Sequence, residues 1–188
     1  MRLEIVPMLK MVSILHKIYC QILDRDETLD SFWSWGELMI SDFADIDRNL
    51  VDCDQLFRVL EELKEFSGID TLDSEQKAAL EYFFGEMKKT DDSSLKEKYM
   101  SIWKALGPIY TQFRETLSSM GIAYDGMIQR QAVEMIRNDH DAFMAKFPAK
   151  KYAFVGFNSL DKAEKELFRA MNKSGKAMFY WDYDIAYT

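Results

Sequence analysis

YAFVGFNSLDKAEKELFRAMNKSGKAMFYW, residues 152 to 181, contains two short apolar runs separated by an amphipathic stretch. The runs YAFV, at 152–155, and KAMFYW, at 176–181, are bounded by polar residues and glycines. A continuous apolar run of this length, without alternation, is the signature of a strand buried on both faces of a parallel sheet. Between the runs, Asn158 or Ser159 can cap a helix through Asn172, after which Gly175 turns the chain. Parallel strands need a crossover of about a dozen residues, and this helix supplies it. The expectation is a right-handed unit in which strands 152–155 and 177–180 lie side by side, joined by a helix at 159–172.

Upstream, the apolar period changes from runs to helical stripes. Leu9, Val12, Leu15, Ile18, Tyr19 and Ile22 recur at helical spacing over 8–23, and the acidic stretch 24–30 ends that helix. A second helix runs from Asp30 or Ser31 to about Ile40, with Phe32, Trp33, Trp35, Leu38 and Met39 too apolar all round for an exposed position. A third is expected over 52–66, stopped by Gly68, and a fourth begins at Asp73 or Ser74. Residues 95–120 form one long helical pattern that Gly107–Pro108 should bend or break. Gly121 ends it, and 124–137 gives a further helix. The fold class is thus mainly α with a small parallel β section. The organisation expected is a helical part over 1–71, a helical insertion over 72–123 and the strand–helix–strand part over 124–188.

Composition narrows the class of protein. Hydrophobic residues make up 48% of the 188-residue chain and charged residues 30%, enough apolar material for one real core. The apolar run 5–23 is interrupted by Lys10, His16 and Lys17, so it reads as a core helix rather than a signal or a membrane span. Cys20 and Cys53 stand far apart with no metal-ligand spacing, which favours a reducing, cytoplasmic compartment. The net charge of -8 is unevenly spread: residues 24–75 carry sixteen acidic and four basic side chains, and the remainder carries sixteen acidic and twenty basic. An acidic third repels a phosphate backbone, so any DNA contact belongs to the basic remainder.

Side chains that carry chemistry are sparse. Asp42, Asp45, Asp47, Asp52 and Asp54 fall within thirteen positions and offer a metal-dependent hydrolase or nuclease site as one alternative; solvated turns and helix caps are the other. His16 and His140 each lack a second ligand at metal spacing and read as structural. No GxSxG elbow or GxxxxGK[ST] loop is present, which argues against acyl transfer and against phosphate-loop nucleotide binding within this chain. The aromatic stretches FWSW at 32–35 and FYWDYD at 179–184 can stack bases, but core packing accounts for them more simply.

Four blocks in order, FWSWGELMISDFADIDRNLVD (32–52), GIAYDGMIQRQAVE (121–134), YAFVGFNSLDKAEKELF (152–168) and GKAMFYWDYD (175–184), together resemble the N-terminal helicase-like region of Bacteroidetes exonucleases of the PD-(D/E)XK type, which are similar to AddB and more distantly to RecB. The resemblance spans nearly the whole chain from about Leu9 onward. It implies part of a RecA-like helicase domain with a helical insertion, within a longer protein that has a phosphate-loop-like segment ahead and a nuclease domain at its far end. Active helicases of this superfamily carry an acidic pair after the strand corresponding to 152–155, where it holds magnesium and polarises water. Gly156 and Phe157 stand there in this chain, and neither can do so.

The resemblance therefore implies a region with no catalytic residue and no cofactor or metal of its own. It would guide DNA and dock a helicase or nuclease partner subunit, away from any membrane, while the full-length protein acts as a DNA exonuclease in double-strand-break repair. An alternative from another class is a helical protein–protein adaptor. Candidate DNA contacts are Lys88, Lys89, Lys96, Lys98 and Lys104, on the expected insertion. Lys96 and Lys104 are eight residues apart, roughly 12 Å along a continuous helix, enough to span about two phosphates of one strand.

Overall fold

A computed structural model describes residues 3–57, 93–157 and 159–181, with the backbone alone for 93–100. Its elements in chain order are β1 (Glu4–Ile5), α1 (Met8–Leu23), α2 (Leu29–Arg48), α3 (Ser93–Ser119), β2 (Ile122–Ala123), α4 (Asp125–Asn138), α5 (His140–Met144), β3 (Tyr152–Val155), α6 (Lys162–Lys173) and β4 (Ala177–Tyr180). The architecture is mainly helical, with two small pairs of parallel strands.

The main core lies where α1, α2 and α3 meet the start of α4. Val12 and Leu15 of α1, Phe32 and Phe43 of α2, and Ile109, Phe113 and Leu117 of α3 are all essentially inaccessible to solvent. The α1 and α3 sets recur at three- or four-residue spacing and the α2 pair at eleven, about three turns, so one stripe per helix faces inward. α3 lies within the stretch 72–123 expected as an insertion, and its stripe is part of this same core. The expected fourth helix, from Asp73 or Ser74, lies outside the described residues. So does the 52–66 helix beyond residue 57; its first turn, 53–57, is capped by the Asp52 carboxylate accepting from the Gln55 N–H at 3.0 Å.

Several boundaries differ from the sequence expectation. α2 is capped two to three residues earlier than Asp30 or Ser31, with the Thr28 hydroxyl accepting from Ser31 N–H, and continues to Arg48 rather than stopping near Ile40. The inward stripe explains the extension, since Phe43, Ala44 and Asp47 prolong the face begun by Phe32, Met39 and Ile40. That helix is also less buried than its composition suggests: Trp35 and Leu38 lie on its solvent side. α3 runs through Gly107–Pro108 without a break. Pro108 and Lys104 are both exposed, so the carbonyl that loses its partner to the proline ring faces water.

β1 and β2 form a parallel pair that the sequence did not signal. The Glu4 N–H donates to Gly121 O at 3.0 Å, and Gly121, at φ 70, turns the chain from α3 into β2. Two residues per strand are too few to leave a periodic pattern.

β3 and β4 are parallel and in register, Tyr152 opposite Ala177 and Val155 opposite Tyr180, as the sequence predicts. The crossover helix begins later than expected, at Lys162 with Asp161 as its cap, in place of Asn158 or Ser159. The burial of the strands is corrected more substantially. Phe154 and Phe179 face α6 and close on Phe168 at ring distances of 4.4 and 5.3 Å. Ala153, Val155, Met178 and Tyr180, on the opposite face, are exposed. Among the described residues, α6 covers one face of this sheet and nothing covers the other. α6 in turn packs on α4 and α5 through Phe143, Met144, Ala170 and Met171, a second, smaller core.

Candidate functional site

Asp47 is the one buried charged residue among the described residues, with no accessible surface. Its position follows from helical spacing, four residues after Phe43 and seven after Ile40, on the inward stripe of α2. One turn earlier, α2 touches α4 so closely that a β-carbon on Gly126 would lie 2.3 Å from Ala44 O. This approach carries Arg130, one turn beyond Gly126, into reach of Asp47.

Four groups then converge on the carboxylate. Tyr110 of α3 donates its hydroxyl to Oδ1 at 2.6 Å, and Tyr124, at the N-cap of α4, donates to Oδ2. Arg130 Nε lies 2.6 Å from Oδ1, and Arg114 Nε lies 3.5 Å from Oδ2. Neither Nε–H points along a hydrogen-bond axis, so these two contacts are charge pairing rather than linear bonds. Arg130 directs Nη2 instead to the carbonyls of Ile46 and Val51, at 3.0 and 2.7 Å, and so closes the C-terminus of α2. Arg114 lies over the Tyr110 ring and donates Nη1 to its hydroxyl at 3.2 Å.

Burial, reinforced by the neighbouring Asp47 charge, pushes the phenols of Tyr110 and Tyr124 far above their ordinary range. Tyr19 is shifted the same way, by burial first and the Glu27 charge second. The sign of the linkage follows. Below pH about 10 these phenols are protonated folded or unfolded; above it the unfolded chain releases protons that the native chain keeps, so stability falls as pH rises. The expected loss is roughly 1.4 kcal/mol per pH unit each for Tyr110 and Tyr124. In an ultraviolet titration of the nine tyrosines, Tyr110 and Tyr124 should yield phenolate only as the helical circular dichroism collapses. Their reversible ionisation near pH 10 with the helices intact would contradict the buried network.

The network cannot act as a catalytic base. Two hydroxyl donors and two guanidinium groups crowd both Asp47 oxygens, and the side chain has no accessible surface, so neither a substrate proton nor a metal has an open approach to it. Within the 42–54 cluster the structure disperses the other carboxylates. Asp42, Asp45, Asp52 and Asp54 are exposed, Asp45 pairs with Arg48 at 3.3 Å, and Asp52 is a cap. Among the described residues no three His, Cys, Asp or Glu side chains are placed to hold a metal.

Cys20 and His16 form the other arrangement with chemical potential, their Sγ and Nε2 atoms 3.4 Å apart. His16 Nε2 also lies 2.7 Å from Glu27 O, a carbonyl that can only accept. Nε2 must therefore carry its hydrogen, which leaves it no lone pair for the thiol proton. The pair ties the end of α1 to the segment before α2, and His140 does similar work between α5 and α6, with Nε2 at 3.2 Å from Ala170 O.

Of the lysines singled out for DNA contact, Lys88 and Lys89 lie outside the described residues, and Lys96 and Lys98 belong to α3 where only its backbone is described. Lys104 is exposed in an open cleft of about 650 Å³ between the 53–57 turn and α3. Asp54 and Glu115 line the same cleft and oppose an anion there.

At the C-terminal end of β3, Gly156 takes φ 78 with open space around it, and Phe157 packs edge-on against Phe168 at 5.2 Å. The N-terminus of α6, where a phosphate would otherwise find free N–H groups, is occupied by the chain's own carboxylates. Asp161 accepts from Glu164 N–H at 2.7 Å, and Glu164 accepts from Asp161 N–H at 2.9 Å. No helix of the described residues is long and apolar enough to cross a membrane. Comparison with known proteins finds no matching family model, curated protein or solved structure.

Proposed function

We propose that this chain is a non-catalytic, helicase-like scaffold that guides DNA and docks a partner subunit within a bacterial ATP-dependent exonuclease for double-strand-break repair, in the cytoplasm. The observation that carries this reading is the end of β3. The parallel strand–helix–strand unit has the form that the four-block resemblance implies, but its strand end presents Gly156 and an inward-packed Phe157. The capping box at α6 adds two carboxylates where nucleotide phosphates would have to sit. The reading of a nuclease built on the 42–54 acidic residues gains no support, since Asp47 is consumed by its own ion pairs and the others diverge.

The expected result with purified protein is an unchanged melting temperature on adding magnesium and ATP, and ATP turnover no greater than the buffer blank. A nucleotide that binds tightly stabilises measurably, by about 2.7 kcal/mol at a hundred times its Kd. A melting shift together with turnover removed by substitution of a residue in this chain would overturn the proposal.

A further inference from the structure

α6 is a helix of twelve residues whose two sides differ completely. Ala163, Phe168, Ala170 and Met171 are buried against the sheet and α4. Lys162, Lys165, Arg169 and Lys173 are all exposed. Their spacing of three, four and four residues confines them to about 80° of the helix circumference at 3.6 residues per turn, and they extend for roughly 16 Å along the axis. The three lysines make no hydrogen bond or ion pair with any described residue. Arg169 pairs with Glu166 at 2.8 Å while 74% of its side chain stays exposed, a contact that water and salt weaken.

Helix stability does not account for this stripe. A cation at the C-terminal end complements the helix dipole, which explains Lys173. Lys162 and Lys165 stand in the first turn and a little beyond, where the dipole opposes positive charge. Nor does an apolar partner suit the surface, because no large hydrophobic residue of α6 is exposed. Attraction here must come from charge and counterion release, as in contact with a phosphate backbone.

We propose that this face of α6 lies along the sugar-phosphate backbone of DNA, with Lys162, Lys165, Arg169 and Lys173 contacting phosphates of one strand. Four cations over about 16 Å match the length of roughly five nucleotides at 3.4 Å each. This inference rests on the DNA-guiding part of the proposed function, but moves the contact from the α3 lysines to α6. A contact made to phosphates alone is indifferent to base sequence.

The test is fluorescence anisotropy with labelled oligodeoxythymidylate over a series of salt concentrations, comparing the parent with the variant Lys162→Gln, Lys165→Gln, Arg169→Gln, Lys173→Gln. Glutamine is close to lysine and arginine in helix propensity, so an unchanged circular dichroism spectrum is expected. The variant should bind at least tenfold more weakly at low salt, and its log–log salt slope should be shallower by about 2 to 3, as loss of four contacts at 0.7 each requires. A control with the same charge change elsewhere, Lys10→Gln, Lys17→Gln, Arg137→Gln, Lys150→Gln, should keep most of the parent slope. Equal binding by parent and α6 variant overturns the α6 surface while leaving the DNA-guiding reading standing. No binding by the parent at low salt overturns both for this chain. If the α6 variant loses polyglutamate binding instead of oligodeoxythymidylate binding, the stripe serves an acidic protein and the proposal falls.

Discussion

Asp47→Asn is expected to cost about 3 to 5 kcal/mol of stability, the range for removing one partner of a buried ion pair and leaving the opposite charge uncompensated. The substitution keeps the shape of the side chain but removes its charge. It also turns an N–H₂ group toward hydroxyls and guanidinium groups that already act as donors. Arg130 and Arg114, 2.6 and 3.5 Å from the Asp47 oxygens, then lose the buried counter-charge they share. For a chain of this length a loss of that size lowers the melting temperature by roughly 6 to 20 °C. Asp45→Asn is the matching control, because Asp45 makes an exposed pair with Arg48 and should cost less than about 1 kcal/mol. Combining Asp47→Asn with Arg130→Gln should cost less than the sum of the two singles, with a coupling of about 0.5 to 3 kcal/mol. Thermal or urea unfolding measures the four variants against the parent. A melting temperature for Asp47→Asn within two degrees of the parent would show that the network does not hold α2, α3 and α4 together.

Gly126→Ala is expected to be nearly as damaging, although it adds a single methyl group. The new carbon would lie 2.3 Å from Ala44 O, 2.7 Å from Ala44 Cα and 2.9 Å from Ala44 C. All three are backbone atoms of α2, so no side-chain rotation relieves the clash, and the two helices must separate by about 1 Å to reach ordinary carbon contacts of 3.5 Å or more. Overpacking of this kind costs roughly 1 to 3 kcal/mol. Here the displaced α4 also carries Arg130 away from Asp47, so the upper end of that range is expected. Alanine's better helix propensity, worth up to about 1 kcal/mol, works in the opposite direction and does not offset it. Gly36→Ala offers the comparison: its new carbon meets the Phe32 ring edge and a Val12 methyl, side-chain atoms that can give. Urea unfolding should therefore rank Gly126→Ala well below Gly36→Ala, and the reverse order would mean that α2 and α4 are not held at this distance.

Much of the helical framework was legible in local sequence because burial imposes a period. Val12, Leu15 and Tyr19 on α1, and Ile109, Phe113 and Leu117 on α3, mark their inward faces by spacing alone, and the same signal located β3 and β4 and their crossover. Helix ends were less legible. Thr28 and Asp161 cap α2 and α6 in preference to neighbours with equally suitable side chains, because several polar residues in a row compete and only the packed position of the helix selects among them. Pro108 was expected to disturb α3 by its local chemistry, yet the neighbouring core residues keep the helix continuous and the lost bond falls on the solvent side.

The buried carboxylate shows where local reasoning stops. Asp47 stands among Asp42, Asp45, Asp52 and Asp54, and composition alone assigns all five to solvent. Its spacing from Ile40 and Phe43 placed it on the inward stripe, a signal present in the sequence but outweighed by its charge. Nothing local announces the partners: Tyr110, Arg114, Tyr124 and Arg130 lie sixty or more residues away, the first two brought to Asp47 by α3 in the shared core and the last two by α4, which Gly126 lets touch the backbone of α2. Sequence by itself determined which faces are apolar and therefore which elements form. Tertiary structure alone decided which polar residues are enclosed with them, because a charge can be buried only where the folded chain brings its counter-charges and donors to the same point.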